Sequence, residues 1–217
     1  RRVLFRSGTR QHLHAPERRG YVLQVQPPHE NACTACYNLI DDRDGGLLLY
    51  YRGFYPIGSD YADHHQEQTC NVALSSDGVH FDRPRLQRFP QDPEGKPGIA
   101  PNTIWHGYEA HNFCVFLDGN PEADPAARFK AVGGGAKNRL FGFRSADGIH
   151  WERLQQDPLD VEGAFDSVNV PLWDPAAGCY RLFSRYFDVV DDTRVRAIQS
   201  CTSEDFIHWT KPVPHVY

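Results

Sequence analysis

Short apolar runs of strand length, separated by polar turn residues, recur along this chain, while helical periodicity is weak throughout. Only "NPEADPAAR" offers as much as one helical turn. Three segments align with one another: "ALSSDGVHFDRP" at 73–84, "GFRSADGIHWERL" at 142–154 and "SCTSEDFIHWTKP" at 200–212. Each runs from a strand into a Ser-x-Asp or Ser-Glu-Asp turn and then to a His-aromatic pair, at His80, His150 and His208. The unequal spacing of these histidines describes homologous units joined by loops of different length.

The same order of strands precedes each turn. The second unit reads "HNFCVFLD", "ARFKAVGG", "RLFGFRSADG" and "IHWERL"; the third reads "FDSVNVPLWD", "CYRLFSRYF", "RVRAIQSCTSED" and "FIHWTKP". The first reads "HENACTACYNLID", "GLLLYYRGFY", "CNVALSSDG" and "VHFDRP". Four antiparallel strands per unit, joined by Asp-Gly hairpins, predict a β-propeller blade. The expected fold is therefore all-β, a partial propeller of about three four-stranded blades. Phe81, Trp151 and Trp209 are expected to fill the gaps between neighbouring sheets, and the turn aspartates to bond their own main chain.

The first seven residues, "RRVLFRS", match the first-frame translation of a common short-read sequencing adapter, and the sequence contains no Met. Residues 1–7 are therefore expected to be an artefact packing against nothing, residues 8–20 a linker, and residues 21–217 an incomplete propeller with C-terminal blades missing. Aromatics at 12 %, with 13 Phe and 10 Tyr, suit a packed β-rich globule. A net charge of -5 gives no electrostatic case for nucleic acid or an anionic membrane. No apolar run approaches the roughly 20 residues of a bilayer span. Of the six Cys, Cys33 and Cys36 form a CxxC without the second ligand pair that zinc requires, so structural thiols are expected. "GGG" at 133–135 lacks the lysine and helix of a phosphate loop.

Polar residues open each innermost strand: His29, Glu30 and Asn31 in the first unit, His111 and Asn112 in the second, Asp166, Ser167 and Asn169 in the third. Burying such groups is costly unless they are paired or face a wet pocket. The repeated "SxDGxHW" turn, the openings "HENAC", "AHNF" and "AFDSVN", and "FLDGNPEADPAARFKAVGG" together resemble the five-bladed β-propeller glycoside hydrolases. The likeness covers nearly all of residues 21–217 and is nearest the family 32 and family 43 glycosidases, among poorly characterised bacterial members. It implies five blades in the complete fold and a funnel-shaped site on the central axis, with acidic residues from the innermost strands. It also implies a carbohydrate substrate from plants or algae, no required cofactor though calcium on the axis is possible, and a secreted or periplasmic setting.

Glycosidic cleavage uses one carboxylic acid to protonate the leaving oxygen and a second group as nucleophile or base. Asp166 is the first candidate for such a carboxylate and Glu30 the second, each with the alternative of a purely structural bond. The "NDPNG", "RDP" and "EC" strings of family 32 do not occur here, and the second unit offers "AHNF" where a carboxylate is expected. His111 is accordingly the third catalytic candidate, with contact to a sugar hydroxyl or a calcium-bound water as its alternative. Asn31, Asn112 and Asn169 are candidate substrate-binding residues. So are Arg52 and Arg185, at matching places in units one and three, where a planar guanidinium suits an anionic group or an inter-blade ion pair. The leading expectation is a glycoside hydrolase; a glycoside phosphorylase and a non-catalytic sugar-binding propeller are the alternatives.

Overall fold

A computed structural model describes residues 12–18, 20–27, 29–30, 34–54, 68–89, 99–135 and 138–215. Arg1 to Ser7, Asn31 and Cys33 lie outside the described residues, and so do the expectations placed on them. Residues 12–18 are exposed.

The described chain is all-β, in three successive four-stranded antiparallel sheets, the arrangement of consecutive propeller blades. Sheet 1 contains β1 (Ala35–Asp41), β2 (Leu47–Phe54), β3 (Gln68–Ser75) and β4 (Thr103–His106). Sheet 2 contains β5 (Cys114–Leu117), β6 (Phe129–Gly134), β7 (Leu140–Ser145) and β8 (Glu152–Arg153). Sheet 3 contains β9 (Val170–Asp174), β10 (Cys179–Val190), β11 (Thr193–Ser203) and β12 (Val213–Pro214). Within each sheet the strands follow chain order, and the innermost strands β1, β5 and β9 lie side by side. The helix-like turn read in "NPEADPAAR" is a short 3-10 turn, Pro125–Ala127, capped by the Asp124 side chain.

Two seams hold the sheets together. Tyr50, Val72 and Ile104 of sheet 1 meet Phe113, Phe143 and Trp151 of the second unit in one buried cluster. Phe116, Val132 and Leu140 of sheet 2 meet Tyr180, Leu182 and Phe206 of the third unit in another. Edge-to-face rings recur in both, with Tyr50 and Trp151 at 6.3 Å and Tyr180 and Phe206 at 5.2 Å, geometry that adds about 0.5–1.5 kcal/mol per pair beyond burial. Asp118 and Lys130 form a buried ion pair at the second seam, where the Tyr180 hydroxyl donates to Asp118 Oδ2 at 2.8 Å. Trp151 packs toward sheet 1, Trp209 toward sheet 2, and Phe81 on the face of sheet 1 turned away from sheet 2. The three aromatics thus hold equivalent places.

The recurrent turns share one network. Ser75 Oγ accepts from the Gly78 N–H at 2.9 Å, and Asp77 Oδ1 from the Val79 and His80 N–H groups at 2.8 Å. His80 Nδ1 lies 2.6 Å from Asp77 Oδ2. Ser145, Asp147 and His150 repeat this, as do Ser203, Asp205 and His208, with His–Asp distances of 2.7 and 2.6 Å. The repeated Ser, Asp and His therefore satisfy turn backbone, as the sequence suggested.

Two boundaries differ from the expected ones. "VHFDRP" contributes a single bridge, Asp82 to Leu74, and β4 beyond it completes the outer edge of sheet 1 on Thr69–Asn71. The Asp77 turn ties up the first residues of that segment, and Pro84 has no N–H to continue a ladder. In sheet 3 the outer strand is likewise β12 rather than "FIHWTKP", because its first residues cap the Asp205 turn.

Candidate functional site

The site is set by how β5 and β9 begin. A 3-10 turn, Tyr108–Ala110, ends at His111, and Asn112 follows in the left-handed region at φ 50°. The His111 carbonyl accepts from the Gly134 N–H at 2.8 Å, which anchors this turn to the end of β6. "GGG" makes the close approach possible. A Cβ on Gly133 would lie 2.3 Å from the Glu109 carbonyl oxygen, and one on Gly135 would lie 2.7 Å from His111 Cδ2. Gly135 is the floor under the His111 ring, while Gly133 and Gly134 let the end of β6 approach the turn that carries it.

Before β9, buried Phe165 anchors a tight turn in which the Ser167 N–H donates to the Phe165 carbonyl at 2.7 Å. The Asn169 amide braces it from below, donating to the Phe165 and Ser167 carbonyls at 3.0 and 2.9 Å. Asp166 stands at the tip with its side chain 68 % exposed, and its Oδ1 lies 3.0 Å from Nε2 of His111, whose side chain is 6 % exposed.

The partners of His111 hold its ring. Asn112 Oδ1 faces two donors, the Cys36 thiol at 2.9 Å and Arg52 Nη1 at 3.5 Å, so its amide nitrogen is the end turned to His111 Nε2, at 2.8 Å. On the other side of the ring, Nδ1 lies 2.7 Å from Gln68 Oε1 and donates to it. The Asp166 carboxyl is turned to solvent and the His111 imidazole is buried behind it, within hydrogen-bond reach.

Of the residues singled out from the sequence, His111, Asn112, Asp166 and Arg52 converge, and Asn169 supports them from beneath. Glu30 does not join them. It accepts from the Tyr51 hydroxyl at 2.6 Å, from Arg83 at 2.8 and 2.6 Å and from the Gln26 N–H at 2.9 Å. Tyr51 and Arg52 are neighbours on β2 and point to opposite faces, so Glu30 sits on the face of sheet 1 turned away from Asn112. Burial pushes its carboxyl up, but the Arg83 and Tyr51 hydrogen bonds, the Gln26 N–H and the Arg83 charge outweigh this and hold it below its ordinary value. Arg185 is also committed elsewhere, donating to the Ala164 carbonyl at 3.2 Å and covering the Phe187 ring. Gln68 and Cys36 join the cluster without having been singled out for it. Cys36 reaches Asn112 from a bulged stretch of β1 at φ 56°, a conformation with no sequence signature in a non-glycine residue.

Among the described residues no group of three His, Cys, Asp or Glu side chains is placed to hold a metal ion. Calcium seeks six to eight oxygen ligands, whereas this cluster offers one carboxylate next to an imidazole, and Asn112 Oδ1 already serves two donors. The described donor set does not fit calcium.

Neither a family model nor a curated protein matches the chain. Solved structures do. An N-acetylgalactosamine deacetylase from F. plautii, in complex with blood group B trisaccharide, aligns at TM-score 0.55 and 16% identity over 87% of this chain and 55% of its own. A fructofuranosidase from Schwanniomyces occidentalis, complexed with fructosylnystose, aligns at 0.52 and 16% over 86% of this chain and 35% of its own. A β-1,2-mannobiose phosphorylase from Listeria innocua, complexed with β-1,2-mannobiose, aligns at 0.52 and 12% over 90% of this chain and 62% of its own. The chain shares their fold. It spans less than two thirds of the length of each. At such identities the likeness speaks for the fold, and chemistry has to be argued from the site.

Proposed function

We propose that this chain is three of the five blades of a glycoside hydrolase acting on a plant or algal oligosaccharide or polysaccharide. The observation that supports the reading is the contact of the solvent-facing Asp166 carboxyl with the buried His111 imidazole at the start of the innermost strands. Asp166 is the general acid that protonates the leaving oxygen. His111 braces that carboxyl from behind, its ring held by Gln68 and Asn112, and solvent water returns the proton to Asp166 after each turnover. Arg52 supplies a fixed positive charge beside Asn112, suited to a substrate oxygen. The second carboxylate that hydrolysis needs is not Glu30, which is committed to Arg83.

Arg52 also favours a second reading, in which phosphate replaces water as the attacking group and the enzyme is a phosphorylase. One experiment separates these. The complete protein is incubated with a panel of plant and algal oligosaccharides, with and without inorganic phosphate. Reducing-sugar release independent of phosphate supports hydrolysis, and a phosphate-dependent sugar phosphate supports the second reading. Asp166→Asn should lower turnover by about 10²–10⁴, the usual scale of general acid catalysis, while sugar binding persists. Undiminished turnover in that variant would remove Asp166 from the mechanism, and binding without any turnover would leave a sugar-binding propeller.

A further inference from the structure

The innermost strands have a second end. β5 leaves the site at His111 and Asn112 and finishes just before Asn120; β9 leaves Asp166 and finishes at the Asp174–Gly178 turn. At about 3.3 Å per residue this places the far ends roughly 20 Å from the Asp166–His111 pair. There, at the seam of sheets 2 and 3, lies a cleft of about 930 Å³, the upper part of the ~300–1,000 Å³ range of small-molecule sites.

The cleft exists because one loop is short. At the seam of sheets 1 and 2, the loop between β5 and β6 sends Arg128 across to Asp44 at 2.8 Å and to the Asp42 carbonyl. The Tyr50 hydroxyl closes the same seam on the Gly148 carbonyl at 2.8 Å. The equivalent loop of sheet 3 is the tight Asp174–Gly178 turn, drawn in by Gly178 N–H donation to the Asp174 carbonyl at 2.8 Å. It carries Ala176 and Ala177 where the other loop carries Arg128.

What remains is lined by two indoles, Trp173 and Trp209, with Asn120, Glu122, Glu204 and Thr210 at the rim. Glu122 and Glu204 are exposed, and among the described residues no Lys or Arg lines the cleft. Trp209 Nε1 is buried without a hydrogen-bond partner among the described residues, a deficit that a ligand oxygen admitted beside the ring would satisfy. Indole faces suit the C–H faces of sugar rings, and carboxylates and amides suit ring hydroxyls as donors. Sulfated or uronate chains would meet Glu122, Glu204 and Asp205 with like charge. We propose that this cleft is a second carbohydrate site, taking a neutral oligosaccharide at the end of the blades opposite the Asp166–His111 pair. It stands independently of the hydrolase reading, because none of its residues belongs to that pair.

The test is calorimetric titration of the 217-residue chain with neutral hexasaccharides of xylose, glucose, galactose and mannose, and with hexagalacturonate, following tryptophan fluorescence in parallel. Saturable binding of at least one neutral hexasaccharide is expected. It should be unchanged within twofold in Asp166→Asn and weakened at least tenfold in Glu122→Ala/Glu204→Ala, whose exposed side chains are not needed for folding. Trp209→Phe should reduce the fluorescence response and weaken binding. Failure of every neutral hexasaccharide to bind, preference for hexagalacturonate, or binding that Asp166→Asn abolishes and the double variant leaves intact would each overturn the proposal. Turnover by the complete protein is unaffected by any of those results, so the two readings fail separately.

Discussion

Phe206 occupies a place that is glycine in the two equivalent turns, and it keeps their backbone: φ is 68° there, against 75° at both Gly78 and Gly148. A left-handed conformation costs a side-chain-bearing residue about 1–2 kcal/mol. The ring offsets this by filling the second seam among Phe116, Tyr180 and Trp209. Losing a buried phenyl ring costs about 3–5 kcal/mol, so Phe206→Gly should destabilise the chain by about 2–3 kcal/mol net in urea unfolding. Gly148→Ala fails in the opposite way, since its Cβ would lie 2.5 Å from the Tyr50 hydroxyl. The turn aspartates set an acid dependence. Burial pushes Asp147 up, but hydrogen bonds from His150, Ile149 and Ser145 prevail and hold it at about 2, below its ordinary 3.8. Its contribution is full above pH 3.8 and lost as pH falls through about 2. Asp77 and Asp205 shift the same way. The His80 imidazole is raised above 6.5 by its hydrogen bond to Asp77, so its share is present below 6.5 and fades as pH climbs through the raised value. Unfolding monitored from pH 4 to 2 should show stability dropping, with Asp147→Asn flattening part of the slope; an unchanged slope would mean that this turn is not coupled to folding.

At the scale of elements, the turn between β5 and its predecessors shows what a sequence can and cannot disclose. The Ser-Asp-His turns were readable because every bond in them is local, within three residues, and the strands before each turn follow the expected order. The openings of β5 and β9 were readable as polar groups at the start of apolar strands, which brought His111, Asn112 and Asp166 forward. Gln68, by contrast, meets His111 across the gap between two sheets, and Cys36 meets Asn112 only because both residues adopt left-handed backbone. Neither condition leaves a periodic trace. Glu30 opens the first unit as Asp166 opens the third, but Tyr51 and Arg83, both distant in the chain, hold it on the other face. "GGG" was legible as unusual but not as a floor. Its role gives a prediction: Gly135→Ala sets a Cβ 2.7 Å from His111 Cδ2, and the ring has to move. Overpacking of this kind costs about 1–3 kcal/mol. The complete protein should lose turnover more than it loses stability, whereas full activity in that variant would show that the ring position is not critical.

For the molecule as a whole, the two seams leave the outer faces of the array unequal. The face of sheet 1 turned away from sheet 2 is partly closed by Leu23 and Phe81 on Leu49, Tyr51 and Ala73, with Glu30 and Arg83 paired at its edge. Among the described residues nothing covers the face of sheet 3 turned away from sheet 2. Tyr180, Leu182 and Cys201 point into the seam, so by strand alternation Val170, Phe183 and Ile198 point outward. With Val168, they line an apolar groove of about 440 Å³ flanked by Arg185 and Arg196. Val168 is 46%, Val170 42% and Ile198 45% exposed. A contiguous apolar sheet face of this kind favours association, and the two arginines at its rim set a net positive fringe that limits it at low salt. The chain should therefore associate in a concentration-dependent way in sedimentation velocity, more strongly as salt screens that fringe. Val170→Lys/Ile198→Lys should return it to monomer while changing unfolding free energy by no more than about 0.5 kcal/mol, as expected for exposed positions. A chain that stays monomeric at high concentration and high salt would show that this face is not adhesive. Association undiminished in the double variant would place the contact elsewhere, with the partly closed first-sheet face the next to examine.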